Sequence, residues 1–139
     1  MINNAHAQVP NEDPKYKVTP TADKNSPSGI YIPENLDDCF QELEKTLQQE
    51  FLKEFKAKKE EELIVYHRGL GMWLRNNWGL WGDSRLKLYF NHLGVYHPDD
   101  MSQIIIVSFW RRLNNKPIQL EEQIKYYQDY WKEQKKKNK

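Results

Sequence analysis

The chain has 139 residues, with 21 Lys and Arg against 20 Asp and Glu, a net charge of +1 and a single cysteine. That length suits one domain with one core, and the near-zero charge offers no long-range steering toward nucleic acid. No run approaches the roughly 20 apolar residues of a membrane span, and the lone Cys39 excludes an intramolecular disulfide and a multi-cysteine metal centre.

Residues 1–30 are polar and broken by Pro10, Pro14, Pro20 and Pro27. Such a stretch buries too little apolar surface to offset its ordering entropy, so it reads as a flexible, disordered lead. Ala5-His6-Ala7 within it has the small-x-small form of a signal-peptidase site, without an apolar segment before it. Either it is a signal-peptide remnant or the tripeptide is chance; with the Pro-rich spacer after it as a tether, export to the periplasm or cell envelope is slightly favoured over the cytoplasm. The domain proper is expected over residues 31–139.

Ile30 to Pro33 makes an extended entry, and Asn35 is a credible N-cap with Asp37 and Asp38 in the first turn. Leu36, Phe40, Leu43 and Leu47 then recur at helical spacing, with Cys39 among them as an inert buried thiol. The pattern loosens through Phe51, Leu52 and Phe55 into the charged run 56–62, which either continues the helix or forms a turn. From Glu60 a second helix carries Leu63, Tyr66, Leu70, Trp73 and Leu74 on one face and ends at Asn76 to Gly79, with Gly79 as a left-handed cap. A short loop, capped by Asp83 or Ser84, leads to a helix bearing Leu86, Tyr89, Phe90 and Leu93 and closed by Gly94.

Pro98, followed by Asp99 and Asp100, signals another helix start. Ile104 to Val107 is β-branched enough for a strand, but the start signal and the continuation through Leu113 favour a buried helix. After Pro117, residues Leu120, Ile124, Tyr127 and Trp131 define a last amphipathic helix, whose basic end suits the helix dipole. The expected fold class is all-α, a compact bundle-like domain of five or six helices.

His67, Gly71 and Arg75 lie four apart, and Trp78 returns to the same side of that helix. Gly71 inside a helix costs about 1 kcal/mol relative to Ala, which implies that something approaches the backbone there. Either a helix packs tightly over it, or a groove opens with His67 and Arg75 on its rim. Trp78 and Trp81, in a glycine-flanked loop, are the surface candidates among the tryptophans, whereas Trp73 reads as core. His97, Asp99 and Asp100 could act as an acid/base set, although acidic residues after a first-turn proline are what any helix start prefers. No HExxH-type spacing or phosphate loop is present, so neither a metal nor a cofactor is implied.

Three segments together are distinctive: Tyr31-Ile32-Pro33 with Leu36 to Phe40, the run from His67 to Gly82 followed by Ser84-Arg85-Leu86, and His97 to Ser102. In these the chain is similar to an uncharacterised bacterial family, domain of unknown function number 6794, over roughly residues 30–131. The resemblance implies a self-contained domain of bacterial origin and no particular activity. The leading expectation is a non-enzymatic interaction module whose surface comprises His67, Arg75, Trp78, Trp81, Arg85, His97, Asp99 and Asp100, the composition of interface hot spots. Its partner would be a protein or a cell-envelope glycan. The alternative is a small hydrolase or lyase using His67, His97 and Asp99 or Asp100, with Arg75 or Arg85 holding an anion.

Overall fold

The computed structural model describes residues 18–138 and is all-α, with six α-helices among those residues. They are α1 (Leu36–Thr46), α2 (Gln49–Ala57), α3 (Met72–Asn77), α4 (Arg85–His92), α5 (Pro98–Leu113) and α6 (Leu120–Lys137). A 3-10 segment (Glu60–Tyr66) and a π turn (His67–Gly71) run without a break into α3. None of the described helices is long and apolar enough to cross a membrane.

The start signals act as the sequence implies. Asn35 accepts a hydrogen bond from the Asp38 amide at 2.8 Å, and Ser84 accepts from the Lys87 amide at 3.1 Å. Pro98 opens α5, where its missing N–H costs nothing. Gly79 and Gly94 both have positive φ, 69° and 87°, and each ends the helical run before it.

α5 is the centre of the molecule. Met101, Ile104, Ile105, Ile106 and Phe109 are all fully buried, and α5 packs against every other helical element. A helix apolar on all sides is stable only under such cover, so Ile104 to Val107 belongs to a buried helix. Phe40, Phe55 and Phe109 stack through the core, with Phe55 also meeting Tyr66 edge-on. Cys39 is fully buried, and desolvation holds its thiol well above the usual range, so it is inert.

Two features depart from the sequence reading. Residues 18–30, expected within the lead, fold back on α1: Val18 is buried and bridges Leu47, the Thr19 amide donates to Thr46 O at 3.0 Å, and the Thr21 amide donates to the buried Glu42 carboxylate at 3.3 Å. This return also interrupts the first helix, because Leu47 turns extended to make the bridge. The expected helix from Glu60 is the second departure. It passes through 3-10, π and α registers in turn, which allows Leu63, Tyr66, Leu70, Trp73 and Leu74 all to be buried. Ala5-His6-Ala7 lies outside the described residues.

Candidate functional site

The π turn and α3 bring His67 and Arg75 together. Arg75 is 4 % exposed, yet its guanidinium is almost fully engaged. Nη1 donates to Ser102 Oγ at 2.8 Å, Nη2 donates to His67 O at 3.1 Å, and Nη1 lies 3.5 Å from His67 Nδ1. Nε makes no hydrogen bond but sits 3.4 Å from Asp99 Oδ1, its counter-charge. Burial lowers the Arg75 pKa and Asp99 partly restores it; a guanidinium so placed remains charged. Gly71 is what makes room for it. A Cβ at that position would stand 2.9 Å from Arg75 Nη1 and 3.2 Å from Tyr66 O. The close approach implied by a mid-helix glycine is therefore made by the chain's own arginine, and Ile106 Cδ1 of α5 would lie 3.6 Å from the same Cβ.

Asp99 links this buried cluster to an open face. Its Oδ1 is 4.0 Å from His67 Nε2, its main-chain carbonyl accepts from Ser102 Oγ at 3.0 Å, and its side chain is 59 % exposed. On that side the first turn of α5 and the outer surface of α6 enclose a cleft of about 400 Å³ lined by Trp81, His97, Pro98, Asp99, Asp100, Tyr126, Tyr127, Tyr130 and Trp131. The His97 ring stacks on Trp131 with centroids 3.7 Å apart, and the Trp131 indole donates to Asp100 Oδ2 at 2.8 Å. Desolvation is the main cause that raises the Asp100 carboxyl above its ordinary range, with the indole N–H and His97 opposing it. Tyr127, behind the cleft, is pushed up to about 12, chiefly by desolvation, with Asp100 adding to it. Trp81, Tyr126 and Tyr130 are 59 %, 66 % and 46 % exposed, an unusual concentration of open rings.

The eight residues singled out from sequence therefore divide. His67, Arg75 and Asp99 form one cluster; Trp81, His97, Asp99 and Asp100 share the cleft. Trp78 belongs to neither. It is 1 % exposed and meets Trp73 edge-on at 6.1 Å, so its proposed surface role is corrected to a core one. The cause is the left-handed Gly79, which reverses the chain after Trp78 and sends Trp81 outward, where its indole donates to Asn76 Oδ1 at 3.1 Å. Arg85 is also separate. Its Nε donates to Ile32 O at 2.8 Å and its guanidinium lies over the Tyr31 ring, so it ties the entry segment to α4 beside a different cleft.

Tyr126, Tyr130 and Trp131 were not singled out as site residues. They come from α6, some thirty residues beyond His97; Trp131 belongs to the apolar stripe of 120, 124, 127 and 131, and only the excess of rings beside that stripe marks Tyr126 and Tyr130. Among the described residues, no three His, Cys, Asp or Glu side chains gather as metal ligands. No hydrogen bond or ion pair among them joins His97 to His67 or Arg75. Ser102 both donates to Asp99 O and accepts from Arg75, which leaves it no base to activate it as a nucleophile.

The family model described as "Domain of unknown function (DUF6794)" matches residues 32–113, more than half of the chain. The chain belongs to that family. The matched span includes the Arg75 cluster and Trp81, His97, Asp99 and Asp100, and it ends before α6. No curated protein and no solved structure matches the chain.

Proposed function

From a family that carries no assigned activity, we propose that this domain is a non-enzymatic binding module whose ligand seats in the cleft between the α5 start and α6. The observation that carries this reading is the combination of five Trp and Tyr rings and two carboxylates around one opening, with Trp81, Tyr126 and Tyr130 left largely exposed. Full burial of a large apolar side chain is worth about 1.5–3 kcal/mol, and a ligand would gain part of that from each of these half-exposed rings. The Arg75 cluster supports the site from behind: a buried guanidinium fixes Asp99, and Ser102 fixes the turn that presents it. The hydrolase alternative has less support, because His97 is stacked on Trp131 and the buried Ser102 gives its proton to Asp99 O. An exported bacterial setting remains part of the proposal: export rests on Ala5-His6-Ala7 and the Pro-rich stretch after it, and bacterial origin on the family resemblance.

The test is an amide shift map of the full chain against a fragment set of sugars, organic cations, carboxylates and short peptides. The reading expects at least one class to perturb residues 97–100 and 126–131 saturably, and Tyr130→Ala to abolish the effect. Saturable binding elsewhere on the surface, or turnover of a fragment, would contradict it.

A further inference from the structure

Taking that binding reading as its premise, we infer that the cleft accepts a quaternary ammonium cation, seated among the rings of Trp81, Tyr126, Tyr130 and Trp131 with Asp100 as its counter-charge. The lining holds two carboxylates and no Lys or Arg. Of the two, Asp99 already has a cation in Arg75, 3.4 Å away. Asp100 takes part in no ion pair among the described residues: its carboxylate accepts the Trp131 indole N–H, and His97 is the basic group beside it. A half-buried carboxylate short of positive charge, set among ring faces, is an arrangement that a cation completes.

The geometry of the rings favours the same occupant. Tyr130 and Trp131 stand at 87° with centroids 5.0 Å apart, and Tyr126 and Tyr127 at 86° and 5.1 Å, so the walls meet as corners rather than as one flat platform. A flat platform suits the face of a sugar ring; corners suit a compact, rounded group. For the oxygens of a sugar the lining offers Tyr hydroxyls, His97 and two carboxylates but no Asn, Gln, Lys or Arg, so the shape of the walls is what favours the cation. A primary ammonium needs three hydrogen-bond acceptors when it leaves water, whereas a quaternary one has no N–H to satisfy and is attracted by the ring faces themselves. The raised carboxyl of Asp100 is consistent with a group that gains from a cation, since an arriving positive charge favours its ionised form.

The experiment titrates the full chain with choline chloride at constant ionic strength, followed by tryptophan fluorescence and calorimetry. It is repeated with 3,3-dimethyl-1-butanol, the uncharged carbon isostere, with n-butylammonium, and with the N-acetylglucosamine dimer. Choline should bind saturably and the isostere and n-butylammonium about tenfold more weakly or worse. Asp100→Asn, which keeps an oxygen for the Trp131 indole, should weaken choline about tenfold while melting like the parent. Equal binding of choline and its isostere, or an unchanged affinity in Asp100→Asn, overturns the inference. So does n-butylammonium binding as tightly as choline. Saturable binding of the sugar at these residues without choline overturns the cation assignment and leaves the binding-module reading standing. If choline fails and no fragment class perturbs this face, both fall together.

Discussion

Gly71 and Arg75 share one volume. The helical turn that carries the glycine leaves a gap of one methyl group, and the guanidinium fills it to reach Ser102 and the His67 carbonyl. Gly71→Ala gains roughly 1 kcal/mol of helix propensity but must displace either the guanidinium or the Tyr66 carbonyl. We expect a net loss of about 1–3 kcal/mol in urea unfolding, and a gain in stability would contradict the packing described. Arg75→Lys should cost about 1–3 kcal/mol in the same assay, because an ammonium cannot span Ser102, His67 O and Asp99 together. Trp78 and Trp81 differ in the same local way. Three residues apart, one is core and one is open, since Gly79 reverses the chain between them. Trp78→Ala is expected to cost about 3–5 kcal/mol, whereas Trp81→Ala should leave the melting curve nearly unchanged and act on binding alone.

At the scale of elements, the helix starts were legible because their signals are local: Asn35, Ser84 and Pro98 each act within one turn. The change of register from 3-10 to π to α was not. Apolar residues at 63, 66, 70, 73 and 74 fit any of those coils over so short a run, and the tertiary demand to bury all of them decided the outcome. The 3-10 segment is pinned at its start by a bidentate pair in which Arg111 Nε and Nη2 donate to Glu60 Oε1 and Oε2 at 3.0 and 2.8 Å. Arg111 holds the Glu60 carboxyl below its ordinary 4.5. The stabilisation is therefore complete above that value and is lost as pH falls through the lower folded-state pKa. Glu60→Gln should cost up to about 1 kcal/mol at neutral pH, discounted because Glu60 is partly exposed, and nothing once the parent's carboxyl is protonated. Urea melts of both proteins across acid pH would show the two curves converge; a gap independent of pH would contradict the pairing.

For the whole molecule, the all-α class and the order of helices could be read from periodicity and punctuation, and so could the central buried α5. What could not be read were the contacts that close the molecule across long separations. Val18 reaches Leu47, Trp110 donates to Lys58 O at 3.0 Å, and Trp131 reaches Asp100. The candidate site suffers from the same limit. His97, Asp99 and Asp100 announced themselves at a helix start, but the rings that turn them into a cleft lie on α6, and nothing local joins the two. The tryptophan-rich run from Gly69 to Gly82 likewise does two jobs: its first part packs the buried arginine, and only Trp81 reaches the open face.

The tryptophans divide into a packed set and a ligand-facing set. The five indole N–H resonances, followed while choline is added to the full chain, test it most directly. Trp81 and Trp131 should shift saturably, Trp131 because its N–H is bonded to Asp100, while Trp73, Trp78 and Trp110 hold still. A Trp131 resonance that stays in place while choline binds, or equal movement of all five, would contradict it.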